Sequence, residues 1–346
     1  MYQKKFLIEM KHGLGDCVCM LPAVTAIRKQ YPNAYIAMIV NGKNNEEIFR
    51  RSEAAVNRFY YLSLKGRPIR ETLKTVWQLR QEHFDYGILA IMTPKKKGML
   101  LFKLLGIKQS YGEQFQGLEW MDLYFKAHFV DRNLQVVQEL IASQVDSQPH
   151  LFFKGNHTVQ LNKKFAIQRE KIVVNIGGGD KVYHKGNYVF TKGWPSQYMV
   201  ELVRLLSYLP YDICLLGGPL EREILPLYDK LLTKENIVNV VAKTTVGESI
   251  DFIADAVLSI GVDTGMQHIA DALGVSTLSI FGPTNPKSSG AYSAKAHFVE
   301  SPEPTPDQYC FETELYYTVP IKECMKKITP EMVYDRVIDI LRNRKS

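Results

Sequence analysis

Short apolar runs alternate with longer stretches of helical spacing through both halves of the chain. In the first half, residues 6–10, 35–40, 58–62 and 86–92 are apolar runs of strand length. Between them, residues 23–30, 46–50 and 71–81 repeat their apolar positions at helical intervals. A second series follows, with strands expected at 171–176, 212–216, 237–241, 256–260 and 277–281. Helices are expected there at 196–209, 221–232, 249–254 and 266–273. This alternation predicts βαβ units and parallel sheets. From 127 to 169 the periodicity weakens among polar and aromatic residues, and the interdomain region is placed there. Thr329 as N-cap, with Pro330 at the first helical position, opens a last helix.

At 346 residues the chain exceeds what one core usually serves, so two domains are expected. A net charge of +7 suits a nucleotide diphosphate or an anionic membrane surface, and equally a basic solubilising surface. Nucleic acid is not an expected partner: no basic helix with interleaved aromatics, zinc-finger spacing or RNP-like strand is present. The chain enters a strand directly, and no apolar run approaches the ~20 residues that span a bilayer. A cytoplasmic location follows as an expectation. The Lys95-Lys96-Lys97 run reads as a solvated loop, with contact to an anionic acceptor or membrane as the other reading. Five cysteines, an odd number, fit a reducing compartment, and Cys310 and Cys324 lack the tight spacing of metal-ligand pairs.

Six segments at expected strand ends or helix starts could carry chemistry. His12-Gly13-Leu14-Gly15-Asp16 follows the first strand. Its Asp16 is either a carboxylate at a helix start or a group facing a ligand. Asn175-Ile176-Gly177-Gly178 and Leu216-Gly217-Gly218-Pro219, with Glu221-Arg222 just beyond, bring backbone to the same edge of a second sheet. Lys192-Gly193-Trp194-Pro195 precedes a helix; Lys192 could neutralise a phosphate or simply be solvated, with Lys181, His184 and Lys185 as substitutes. Finally, Asp263-Thr264-Gly265 opens a helix whose free N–H groups suit an anion. His268 lies one turn further on, and Phe281-Gly282-Pro283-Thr284 ends the next strand, placing Thr284 at the rim.

The series Asp263-Thr264-Gly265, His268, Ala270, Ala272, Gly274 and Phe281-Gly282-Pro283-Thr284 resembles the C-terminal signature of glycosyltransferase family nine, the bacterial heptosyltransferase-like enzymes. Gly15-Asp16 with Leu21-Pro22-Ala23 looks like that family's first motif, and Lys192-Gly193-Trp194-Pro195 like its Lys-x-Trp-Pro segment. Two features depart from the pattern: Ile176 stands where proline is frequent, and the stretch 180–190 is longer than the usual turn. The resemblance implies an α/β protein of GT-B architecture, two Rossmann-like domains with parallel sheets facing an interdomain cleft. Residues 1–160 would bind the acceptor and 161–328 the nucleotide sugar, while the helix of 329–346 could pack back on the first domain.

The same resemblance implies an inverting, metal-independent glycosyltransferase that moves heptose from ADP-heptose to a lipopolysaccharide core or another cell-surface glycan. Asp16 would then be the base and Lys192 the counter-charge to the departing diphosphate. Gly15, Gly177, Gly217, Gly218, Asp263, Thr264, Gly265, His268 and Thr284 would surround the nucleotide. No metal or other cofactor is expected, in keeping with the absence of an Asp-x-Asp motif. Implied partners are the nucleotide sugar, a glycan or glycolipid acceptor, and the inner membrane face in peripheral contact. A nucleotide-sugar epimerase of the same fold and a non-catalytic sugar-nucleotide-binding protein are the alternatives; joint retention of Asp16, Lys192 and the 263–286 signature argues against lost turnover.

Overall fold

The apolar run that opens the chain forms β1 (Lys5–Met10), whose last five residues are all buried, as befits a strand covered on both faces. The computed structural model describes residues 3–62, 69–113, 124–142, 144–178, 181–184 and 187–344. They fall into two units, Met1–Phe152 and Phe153–Ser346.

In the first unit β1 leads into α1 (Leu14–Gln30), β2 (Tyr35–Val40), α2 (Lys43–Arg50), β3 (Arg58–Tyr61) and α3 (Ile69–Gln81). β4 (Tyr86–Leu89), α4 (Lys95–Leu105), β5 (Gln109–Tyr111) and α5 (Phe129–Val137) complete it. The sheet runs β3-β2-β1-β4-β5 with every pair parallel. Helices α3 and α4 share one face, where Leu79, Phe102 and Leu105 pack with Leu7, Ile39 and Leu89. Helix α1 packs with α2 and α5. It begins nine residues before the expected 23–30 segment and continues through Pro22. Burial of ten of its residues outweighs the hydrogen bond that the proline removes.

The second unit contains α6 (Gly155–Lys164), β6 (Lys171–Asn175), the antiparallel pair β7 (Lys181–His184) and β8 (Asn187–Phe190), α7 (Ser196–Leu206) and β9 (Asp212–Leu216). Next come β10 (Ile237–Asn239), α8 (Val246–Ile253), β11 (Leu258–Val262), α9 (Gly265–Ala272), β12 (Thr277–Ile280), α10 (Pro286–Ser289) and β13 (Ala296–Val299). Helices α11 (Glu314–Thr318), α12 (Glu323–Lys326) and α13 (Pro330–Asn343) end the chain. Its main sheet is β10-β9-β6-β11-β12-β13, again parallel throughout.

Several expectations need correction. The 221–232 segment is not an α-helix but two 3₁₀ turns, Pro219–Glu223 and Leu225–Tyr228; Pro226 removes an N–H that a continuous helix would use. Lys95-Lys96-Lys97 is the first turn of α4 and not a loop. The weakly periodic 127–169 stretch holds two helices, and α6 belongs to the second unit, so the division falls earlier than residue 160. Buried Asp251 of α8 ties α6 down, accepting from Lys154 N at 2.7 Å and contacting His157 Nδ1 at 2.7 Å. A polar anchor of this kind leaves no hydrophobic period to read. The terminal helix, α13, starts as expected, with the Thr329 hydroxyl accepting from Met332 N. Its single apolar stripe, Val333, Val337, Ile340 and Leu341, lies in the core of the second unit with Leu202, Val203 and Leu206 of α7. Among the described residues no helix is long and apolar enough to cross a membrane.

Candidate active site

Each sheet has one place where neighbouring strands send their following loops in opposite directions, which opens a crevice at the carboxyl edge. In the second unit it lies between β6 and β11. Asp263 follows β11 there and is 3% exposed. Lys192, from the segment before α7, places Nζ 2.7 Å from Asp263 Oδ2, and His268 Nε2 on α9 lies 3.8 Å from Oδ1. Burial alone would raise the Asp263 carboxyl, but the Lys192 ammonium and the His268 ring outweigh it and hold it well below the usual carboxylate range. Three residues singled out from sequence thus form one ionic cluster. Trp194, two residues beyond Lys192, fixes the segment by donating from Nε1 to Ile328 O at 2.9 Å.

Thr264 is the N-cap of α9 with extended backbone, and its side chain makes no cap bond. Its buried Oγ1 and that of Thr284 find no hydrogen-bond partner among the described residues. At the start of α9 Gln267 N already donates to Thr264 O at 3.0 Å, which leaves the N–H groups of Gly265 and Met266 without an intrahelical acceptor. The edge therefore offers donors and an uncommitted hydroxyl beside a buried ion pair, an arrangement fitted to an anion.

Gly177 and Gly217 surround a group that sequence reasoning left without a role. A β-carbon on Gly177 would come within 2.8 Å of Glu221 Oε1, and one on Gly217 within 2.9 Å of Glu221 Cβ. Gly218 N donates to Glu221 Oε2 at 2.7 Å. The glycines thus make room for a carboxylate over the strand ends. Beneath them, Gln267 Oε1 accepts from Asn175 Nδ2 (3.0 Å) and Ser259 Oγ (2.6 Å), while its Nε2 donates to Leu278 O (2.9 Å). This buried amide network bolts β6, β11, β12 and α9 together. Asn175 and Gln267 stand inside the quoted motifs, yet nothing in their spacing announces that they meet. Gly282 serves the far side of the rim, where a β-carbon would meet Met325 Sδ at 2.6 Å and Cys324 Sγ at 2.7 Å. Of the substitutes for Lys192, Lys181 and His184 fall on β7, and Lys185 lies outside the described residues.

The first unit has its crevice between β1 and β4. Asp16 stands in the first turn of α1, half-buried, with Oδ2 accepting from Gly13 N at 3.0 Å. Gly15 precedes it in the same turn. His12 Nε2 contacts Thr93 Oγ1 at 2.8 Å, and that hydroxyl donates to buried Glu9 Oε2 at 2.7 Å. Asn45 Nδ2 donates to His12 O at 2.9 Å. The loop carrying Asp16 is therefore pinned by Glu9 of β1, Thr93 of the turn after β4 and Asn45 of α2, none of which its own motif contains. Burial pushes the neighbouring Cys17 thiol up to about 12, so it is no nucleophile.

Residues 75–317 match the family model for glycosyltransferase family 9 (heptosyltransferase). The chain belongs to this family. It is 25% identical over 320 residues to lipopolysaccharide heptosyltransferase 1 of Pseudomonas aeruginosa, covering 83% of this chain and 81% of the relative. Its fold is similar to that of the ADP-heptose lipopolysaccharide heptosyltransferase II of E. coli, with a TM-score of 0.76, 18% identity and coverage of 99% and 100%. A family 9 glycosyltransferase from Veillonella parvula matches at a TM-score of 0.79, 17% identity and 99% coverage of each chain. The protein is a glycosyltransferase with the GT-B fold, built from two Rossmann-like domains. Among the described residues no group of three or more His, Cys, Asp or Glu side chains could hold a metal ion.

Proposed function

We propose that the protein transfers heptose from ADP-heptose to a hydroxyl of a lipopolysaccharide core or related cell-surface glycan, with inversion and without a metal ion. The observation that carries this reading is the Lys192–Asp263–His268 cluster beside the open start of α9, inside the family signature. Heptosyltransferase names recur among relatives that align over most of this chain. In the proposed reaction Asp16 accepts the proton of the acceptor hydroxyl while its oxygen attacks the anomeric carbon. The bond from that carbon to the diphosphate oxygen breaks, and ADP leaves with the electron pair.

Lys192, held in place by Asp263, and the backbone N–H groups of Gly265 and Met266 then balance the charge that develops on ADP. The Thr264 and Thr284 hydroxyls supply further hydrogen bonds at that end, and His268 braces Asp263. Gly15 gives Asp16 close access to the acceptor. Glu221, seated over Gly177, Gly217 and Gly218, is placed to accept from ribose hydroxyls, the use to which an acidic strand-end residue is put in nucleotide folds. The acceptor is a glycolipid, and the protein meets it at the inner membrane face.

The decisive experiment compares wild type with Asp16→Asn in ADP calorimetry, with and without magnesium, and in ADP-heptose transfer. Wild type should bind ADP without magnesium; the variant should bind equally well while kcat falls on the order of 10²–10⁴-fold. Preference for another nucleotide would remove heptose as the donor. An unchanged kcat would remove Asp16 as the base.

A further inference from the structure

The face of the first unit built by α3 and α4 is unusually apolar for a surface bounded by charge. Thr72, Val76 and Leu79 turn α3 toward the sheet, as Gly98, Phe102 and Leu105 turn α4. Outside that buried stripe, Ile69, Leu73 and Trp77 recur every four residues on α3 and are 72%, 61% and 61% exposed. On α4, Leu100 and Leu104 are 58% and 54% exposed. The helices are neighbours, linked at their carboxyl ends where Arg80 Nη1 donates to Leu104 O at 2.8 Å. Apolar residues at such spacing on adjoining helices exceed the scattered surface leucines of an ordinary soluble protein.

Charge identifies what covers this face. The two helices carry Arg70, Lys74, Arg80, Lys95, Lys96, Lys97 and Lys103, all exposed, against the single acid Glu71. Nearby Glu82 is already engaged by Lys5 and Arg58, and Glu113 by Arg132. A second copy of the chain docking through the same face would set cation against cation. Leucines and a tryptophan ringed by lysine and arginine instead match a bilayer with anionic headgroups, in which the apolar side chains enter the acyl boundary and the cations stay among the phosphates.

We propose that α3 and α4 form an interfacial docking surface for an anionic lipid bilayer. The proposal deepens the reading of the acceptor as a glycolipid, but vesicle binding is measured without any transfer reaction, so the two stand or fall separately.

The test is cosedimentation with phosphatidylglycerol-containing vesicles and with phosphatidylcholine vesicles, together with quenching of tryptophan fluorescence by brominated lipid. Binding should require the anionic lipid and weaken with salt. Wild-type fluorescence should be quenched, and Trp77→Phe should remove the quenching while keeping the binding. Replacing Lys95, Lys96 and Lys97 by Gln should lower partitioning about a hundredfold, at roughly fivefold per lysine. Leu73→Ser with Trp77→Ser should lower it at least about tenfold while leaving the melting temperature and transfer to a water-soluble acceptor unchanged. Absence of vesicle binding overturns the proposal, as does binding that ignores these substitutions. Self-association in sedimentation velocity that the Leu73→Ser, Trp77→Ser pair abolishes would make the face a dimer interface and overturn it too.

Discussion

The two sheet edges differ in how much of their chemistry is assembled within each unit. At the β6/β11 crevice a buried carboxylate already holds a lysine and a histidine, over a fully buried glutamine that joins three strands. At the β1/β4 crevice the central carboxylate, Asp16, is half-buried and engages one backbone N–H. The difference suits the proposed division of labour between donor binding and proton transfer. A diphosphate is the same in every turnover and rewards a rigid, preorganised cradle. A base that must receive an acceptor hydroxyl needs an oxygen left accessible.

The strongest way to break this comparison is Asp263→Ala. It removes the buried carboxylate that holds the Lys192 ammonium, and unfolding free energy should fall by about 3–5 kcal/mol, with ADP binding weakened at least about tenfold. Urea unfolding and calorimetry measure the two. A loss below about 1 kcal/mol would mean that the second edge is no more preorganised than the first.

Acid sharpens the same point. The folded Asp263 carboxyl titrates below its unfolded value, so its contribution is complete above the unfolded pKa of about 3.9 and is lost as pH falls through the folded one. The stability gap between wild type and Asp263→Asn should persist at pH 5 and shrink only below about pH 4. A gap that closes already between pH 6 and pH 5 would contradict the assignment.

Gln267→Leu is expected to cost about 2 kcal/mol, because Asn175 and Ser259 lose a buried partner. Thermal unfolding checks this, and a neutral result would show that the network is not holding the strand ends. The smallest expected effect is that of Asp16→Asn on stability, about 0.3–1 kcal/mol for a partly exposed first-turn carboxylate. Its effect on turnover should be far larger. A large loss of stability here would make Asp16 a structural residue and erase the contrast between the edges.

Much of the fold was legible because buried parallel strands are continuous apolar runs. β2 and β9 fall on the expected boundaries, and β1, β3, β6 and β12 lie within one residue of theirs. The elements that were misread share a cause. α6 is fastened by Asp251 through polar bonds, α4 opens on three lysines, and the 219–228 stretch is broken by proline. A polar anchor, a run of lysines and a proline each obscure the apolar period on which a sequence reading depends. Of the candidate site, Lys192, Asp263 and His268 were legible through their motifs, and their mutual contact was not.

By itself, the order of residues determined two parallel α/β units, the start of α13 at Thr329-Pro330, and a helix opening at Asp263-Thr264-Gly265. These are local properties, set by side-chain burial within one element and by the free N–H groups at its end. Tertiary structure alone decided that Lys192 meets a carboxylate 71 residues away, that Glu221 fills the space left by Gly177 and Gly217, and that Leu73 and Trp77 remain uncovered. Such relations depend on strand order and on which helix faces are left without a neighbour, and no spacing along a chain encodes either.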